Sequence, residues 1–145
     1  MYLIIFITFG SVAASGAGET IKGNFEGGNK TQYFEYDPSN IYAGVSYFSS
    51  SVGGVRHYKI NLESECNTLG IYRPYKSKNQ MILDGSCTGQ GSQVHQYVYE
   101  WDKRYADWCL RKEVSGERAD RTSGSGERLD IEKVKRCVPL GSGRN

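Results

Sequence analysis

The chain has 145 residues and 18 Lys and Arg against 16 Asp and Glu, a formal charge of +2 that excludes any argument for nucleic-acid binding from net charge alone. The length makes one domain with a single core the expectation, and 11 Tyr with 18 Gly favour short strands and many turns over long helices. Seven basic and nine acidic residues lie between Glu19 and Asp102, eleven and seven from Lys103 onward, so the last third is the basic part. Its acids are interleaved with the cations, which reads as a solvated charged tail.

Residues 2–9 are apolar apart from Thr8 and small residues follow to position 18, the pattern of a secretory signal with cleavage after Ala14 or Ala17, although no Lys or Arg precedes the apolar run. This predicts a signal peptide over residues 1–17, a β-rich domain over 18–112 and a flexible charged extension over 113–145 tied back by Cys137. Residues 19–30 read as a mobile entry arm, and Asn29-Lys30-Thr31 within it is a glycosylation sequon. Residues 31–36 alternate as a first strand, and Asp37-Pro38-Ser39-Asn40 is turn chemistry.

Two β-branched and aromatic segments, residues 41–48 and 55–60, are separated by Ser49-Ser50-Ser51-Val52-Gly53-Gly54 and read as antiparallel strands joined by a loop. Residues 61–68 are polar, and Glu63 and Glu65 there read as a solvated face rather than an acid–base pair. Residues 69–75 and 80–84 are predicted strands, with Pro74 marking the first as an edge. Residues 94–101 have the clearest period of two, with His95, Tyr97, Tyr99 and Trp101 on one face. That face reads as core, with a binding wall of aromatic platforms as the alternative.

Residues 104–112 are predicted as a strand or short helix. Ser115-Gly116-Glu117-Arg118 recurs as Ser125-Gly126-Glu127-Arg128, too short and polar for a stacked repeat and read as a linker, with Leu129, Ile131, Val134 and Val138 lining a short helix or strand beyond it. Cys66, Cys87, Cys109 and Cys137 contain no Cys-x-x-Cys pair, so two disulfides are expected and no metal centre. Three pairings are open, and loop closure favours Cys66–Cys87 with Cys109–Cys137.

The run from Tyr36 to Ile60 resembles the small fungal guanyl-preferring ribonucleases, through Tyr36 and Pro38, Tyr42-Ala43-Gly44, Tyr47-Phe48, Ser49-Ser50-Ser51 and His57-Tyr58-Lys59-Ile60. It is also similar to the ribonuclease-like secreted effectors of powdery mildew fungi, through Tyr33-Phe34-Glu35-Tyr36 and Gly53-Gly54-Val55-Arg56-His57-Tyr58, with Tyr36 where that family has a Cys. The resemblance implies a ribonuclease-like α+β fold, a small disulfide-stabilised antiparallel sheet with one short helix. Carried over position by position, the family carboxylate falls near His57, the arginine near Gln80, the first histidine at Pro38 or Ser39, and the last histidine at His95. Only His95 keeps its type.

These readings together predict a secreted, non-catalytic virulence effector, with delivery into host cells as a further step. It would bind host RNA or a host protein through Arg56, Lys59, Arg73, Tyr97, Tyr99 and Trp101. The mature chain is expected to be monomeric, without a cofactor and without a membrane. One alternative is an active endoribonuclease with His57 and His95 as the acid–base pair. Another is a disulfide-stapled toxin on an unrelated β fold.

Overall fold

The computed structural model describes residues 20–37, 45–61, 70–74, 76–87, 91–120, 122–124 and 126–140. Among these residues nine strands form two antiparallel meanders: β1 (Thr20–Gly23), β2 (Gln32–Asp37), β3 (Val45–Ser50) and β4 (Arg56–Asn61) in one sheet, then β5 (Gly70–Tyr72), β6 (Gln80–Asp84), β7 (Gln93–Asp102), β8 (Asp107–Glu117) and β9 (Arg128–Pro139) in the other. Each strand pairs with its sequence neighbour, so every connection within a sheet is local. The expectation of an α+β chain is corrected: the described residues contain no helix, and of residues 104–112, weighed as strand or short helix, 104–106 are turn and 107–112 belong to strand β8. The reason lies in β8 itself, where alternation places Trp108 and Leu110 on the inner face opposite Trp101 and Tyr99.

The sheets face each other across an aromatic core. Phe34 and Tyr36 of β2, Phe48 of β3, and Tyr58 and Ile60 of β4 point inward from the first sheet; Ile71, Met81, Leu83, Tyr97, Tyr99, Trp101, Trp108 and Leu110 meet them from the second. Trp108 is fully buried, with Phe25, Phe34 and Trp101 edge-on to it at 5.2, 5.8 and 5.8 Å between ring centroids. Tilted and edge-on rings fill the layer densely and add about 0.5–1.5 kcal/mol per pair beyond burial.

Residues 19–30 do not form an arm throughout. Residues 20–23 are β1, held because Thr20 to Gly23 pair residue by residue with Glu35 to Gln32, and Ile21 packs against the core. The serines that read as a loop are mostly strand: Ser49 and Ser50 belong to β3, and the fully buried Ser50 hydroxyl accepts the backbone N–H of Val52 at 3.1 Å. The reversal is confined to residues 51–55. There Gly53 has φ +69° and lies flat on Trp101, so that a Cβ would sit 2.5 Å from the indole ring.

The Ser-Gly-Glu-Arg copies also differ from the expected linker. Residues 115–117 complete β8, Arg128 opens β9, and Glu117 pairs with Arg128 across the ladder. The boundary expected at residue 112 therefore falls inside a strand. Gly116, φ +141°, is required there, since a Cβ would lie 1.9 Å from the Arg128 carbonyl oxygen. Cys109 and Cys137 are disulfide-bonded, the pairing expected for them; Cys87 is disulfide-bonded as well, and Cys66 lies outside the described residues. Residues 41–44, Glu63, Glu65, Pro38 and Ser39 also lie outside them.

Charge is used structurally at the β7–β8 turn. Asp102 is buried and accepts from Arg104 at 2.8 Å and Arg111 at 2.6 Å, and hydrogen bonding to Arg104 holds its carboxyl well below the usual carboxylate range. A carboxyl depressed in this way stabilises the fold above its ordinary pKa, and the contribution is lost only as pH falls through the depressed value.

Tyr58 behaves oppositely. Burial, reinforced by the Asp107 charge 3.2 Å from its hydroxyl, pushes the phenol up to about 12. The neutral phenol is thus favoured by the fold, so its contribution is complete below about pH 10 and lost as pH rises towards about 12. In a spectrophotometric titration of phenolate absorbance, Tyr58 ionises late, at about 12, and Tyr58→Phe removes that step. A Tyr58→Phe titration identical to wild type would contradict the assignment.

Candidate functional site

The outer face of the four-stranded sheet is built by the alternation that makes its inner face core. Because Phe34, Phe48, Tyr58 and Ile60 point inward, Tyr33, Glu35, Tyr47, Ser49, His57 and Lys59 point outward. Glu35 is paired with Ser49, and Ser49 with His57, which sets the three in one row across β2, β3 and β4. Strand spacing puts the Glu35 and His57 backbones about 10 Å apart, close enough for side chains to converge on one small group. Tyr47 and Lys59 form the next row, and Lys22 pairs with Tyr33 at the β1 edge.

These side chains border a shallow pocket of about 230 Å³ lined by Glu35, Tyr47, Phe48, Ser49, His57 and Tyr58. Tyr47 is 42% exposed, an open ring among solvated polar groups. A carboxylate and an imidazole on one row can divide base and acid roles on a bound hydroxyl and its leaving group. Ser49 is not a hydrolase nucleophile here, because that relay needs the imidazole between serine and acid, whereas Ser49 stands between Glu35 and His57. No cluster of three or more metal-ligating side chains occurs among the described residues.

The residues expected from sequence divide between this face and the interior. His57 and Lys59 lie on the open face. Tyr97, Tyr99 and Trp101, at 4, 5 and 4% exposure, are core and offer no platform to a ligand. Arg56 points to the interior side, stacks on Trp101 at 5.9 Å and donates to the Ala106 carbonyl, fastening the two sheets. Arg73 donates to the Lys22 carbonyl at 3.4 Å and covers Phe25 at 5.6 Å, joining the β1 and β5 edges.

His95 is on β7 in the other sheet, half-buried, 4.6 Å from the Tyr97 ring, with its backbone N–H donated to Ser86 Oγ. His57 faces away from that sheet, so the structure does not bring the two histidines together. Gln80, at the position matched to the family arginine, donates to Glu100. Asn29 of the sequon is exposed at the bend between β1 and β2.

Glu35 and Tyr47 were not expected at a site. The alternation of Tyr33-Phe34-Glu35-Tyr36 carries the signal for Glu35, but it marks only a solvated position. The pairing register of three strands is needed to set it beside His57. Comparison of the chain with protein-family models, with curated proteins and with solved structures finds no match.

Proposed function

We propose that the protein is a secreted binding protein that holds single-stranded RNA on the open face of its four-stranded sheet, acting in or around a host as a virulence effector. One observation carries the reading: an exposed aromatic ring, Tyr47, lies in the same cross-strand row as Lys59 and beside His57, with Lys22 at the sheet edge. Aromatic faces take bases by stacking, and cations at their margin take the phosphates. The secretory pattern of residues 1–17 and the disulfides support an extracellular route. The likeness of residues 36–60 supports a ribonuclease-like scaffold, while the two meanders of strands support a disulfide-stapled β fold of separate descent. The chemistry of the face is the same on either.

The row formed by Glu35, Ser49 and His57 favours a second reading, an endoribonuclease in which Glu35 takes the ribose 2′-hydroxyl proton and His57 protonates the leaving 5′-oxygen. It replaces the pair of His57 and His95. Fluorescence anisotropy and gel analysis of one labelled oligoribonucleotide test both readings. Affinity falls with salt at a slope of about −1.4, two phosphates at about −0.7 each, and Lys22→Ala/Lys59→Ala removes that dependence. Tyr47→Ala weakens binding about tenfold. Cleavage abolished by Glu35→Gln and His57→Ala but kept by His95→Ala would establish the enzyme. A folded protein with no affinity for the oligonucleotide would overturn RNA as the target and direct attention to a host protein.

A further inference from the structure

At the end of the sandwich formed by the β3–β4 and β7–β8 turns, we infer a docking surface for anionic lipid, distinct from the open sheet face. The β3–β4 turn is seated firmly: Val52 is fully buried, Gly53 lies on Trp101, and the next side chain, Val55, is left 70% exposed at the tip. The Arg56 guanidinium ties this turn to the β7–β8 turn through the Ala106 carbonyl, and immediately before Ala106 stands Tyr105, 57% exposed. Two neighbouring turn tips thus each present an apolar body on an anchored backbone.

Charge at this end is sorted by depth. The Arg104 side chain is 78% exposed and stacks on the Tyr105 ring at 5.8 Å, and Lys103 beside it is exposed. The acids are engaged: Asp102 is 7% exposed and answers both Arg104 and Arg111, and the half-buried Asp107 is turned to the Tyr58 hydroxyl and the Trp108 backbone N–H. Seen from outside, the tip is an aliphatic and an aromatic group flanked by Lys103 and by Arg104, whose guanidinium is paired with Asp102 beneath it. This matches the interfacial zone of a bilayer, where Tyr sits at headgroup depth, short apolar groups enter the acyl boundary, and Lys and Arg meet anionic headgroups. The surface departs from the expectation of a mature chain without membrane contact; it is a peripheral attachment, and no helix among the described residues is long and apolar enough to cross a membrane.

The test is co-sedimentation of the mature chain with phosphatidylcholine vesicles with and without phosphatidylserine. Binding is expected only with phosphatidylserine and weakens as salt is raised. Val55→Ser/Tyr105→Ser abolishes it, Lys103→Ala lowers the partition coefficient about fivefold, and Lys22→Ala/Lys59→Ala on the sheet face leaves it unchanged. All these side chains are exposed, so the variants keep the fold, as circular dichroism will verify. Equal sedimentation with both vesicle types, none with either, or full binding by Val55→Ser/Tyr105→Ser would overturn the inference.

Discussion

Trp108→Ala lowers the unfolding free energy by about 4 kcal/mol and the melting temperature by about 13 °C. The size follows from position. Trp108 has no exposed surface and is the hub at which both sheets meet: Phe25 and Phe34 reach it across the core, and Trp101 flanks it on the neighbouring strand of its own sheet. Removing the indole opens a cavity bounded by rings whose strands are fixed by ladders on either side, so the walls have little freedom to collapse. The cost is therefore the lost transfer energy together with the cavity term. Its N–H, 3.5 Å from the Ser50 hydroxyl, adds little. Trp108→Phe, which keeps most of the ring stacking, loses about half as much. Chemical denaturation monitored by circular dichroism decides the matter, and a loss below about 1 kcal/mol for the alanine variant would mean that this residue is not the centre of the core.

That hub shows which parts of the fold were legible in the sequence. The inward set of β7 was readable because Tyr97, Tyr99 and Trp101 recur at the period of the pleat, and a core assignment needs nothing more. The strand at residues 80–84 was likewise bounded by its own turn chemistry. Residues 115–117 were not legible as strand, and residues 129–138 only as a helix or a strand, because 115–117 and most of β9 are exposed or polar and owe their order to pairing with each other and to Cys109–Cys137. The intramolecular contacts of Arg56 and Arg73 were not legible for a related reason. A sequence shows that an arginine is present but not that an indole or phenyl ring lies under it. The open-face site combines both limits, since each of Glu35, Tyr47 and His57 is ordinary on its own strand and only the register makes them neighbours.

Cys109→Ala/Cys137→Ala is expected to cost about 3.5 kcal/mol, the chain entropy of closing a loop over the 28 positions that separate the two residues. The structural reason that nothing else compensates is the character of β9. It is the edge strand of its sheet and its residues from 128 to 133 are all exposed, so apolar burial holds it only through Val134, Val138 and the buried Leu140 that follows it. Cys109 is itself fully buried next to Trp108, so the bond fastens the edge strand directly to the core wall. Without it, β9 should open locally before the rest unfolds: amide exchange accelerates along β8–β9 while the β2–β3–β4 ladders keep their protection. Because the open sheet face lies in the other sheet, the RNA affinity proposed for that face should survive in the variant, whereas Trp108→Ala weakens both sheets together. Uniform acceleration of exchange throughout the molecule would instead show that β9 and the core unfold as one unit, and that the disulfide stabilises the whole domain rather than its edge.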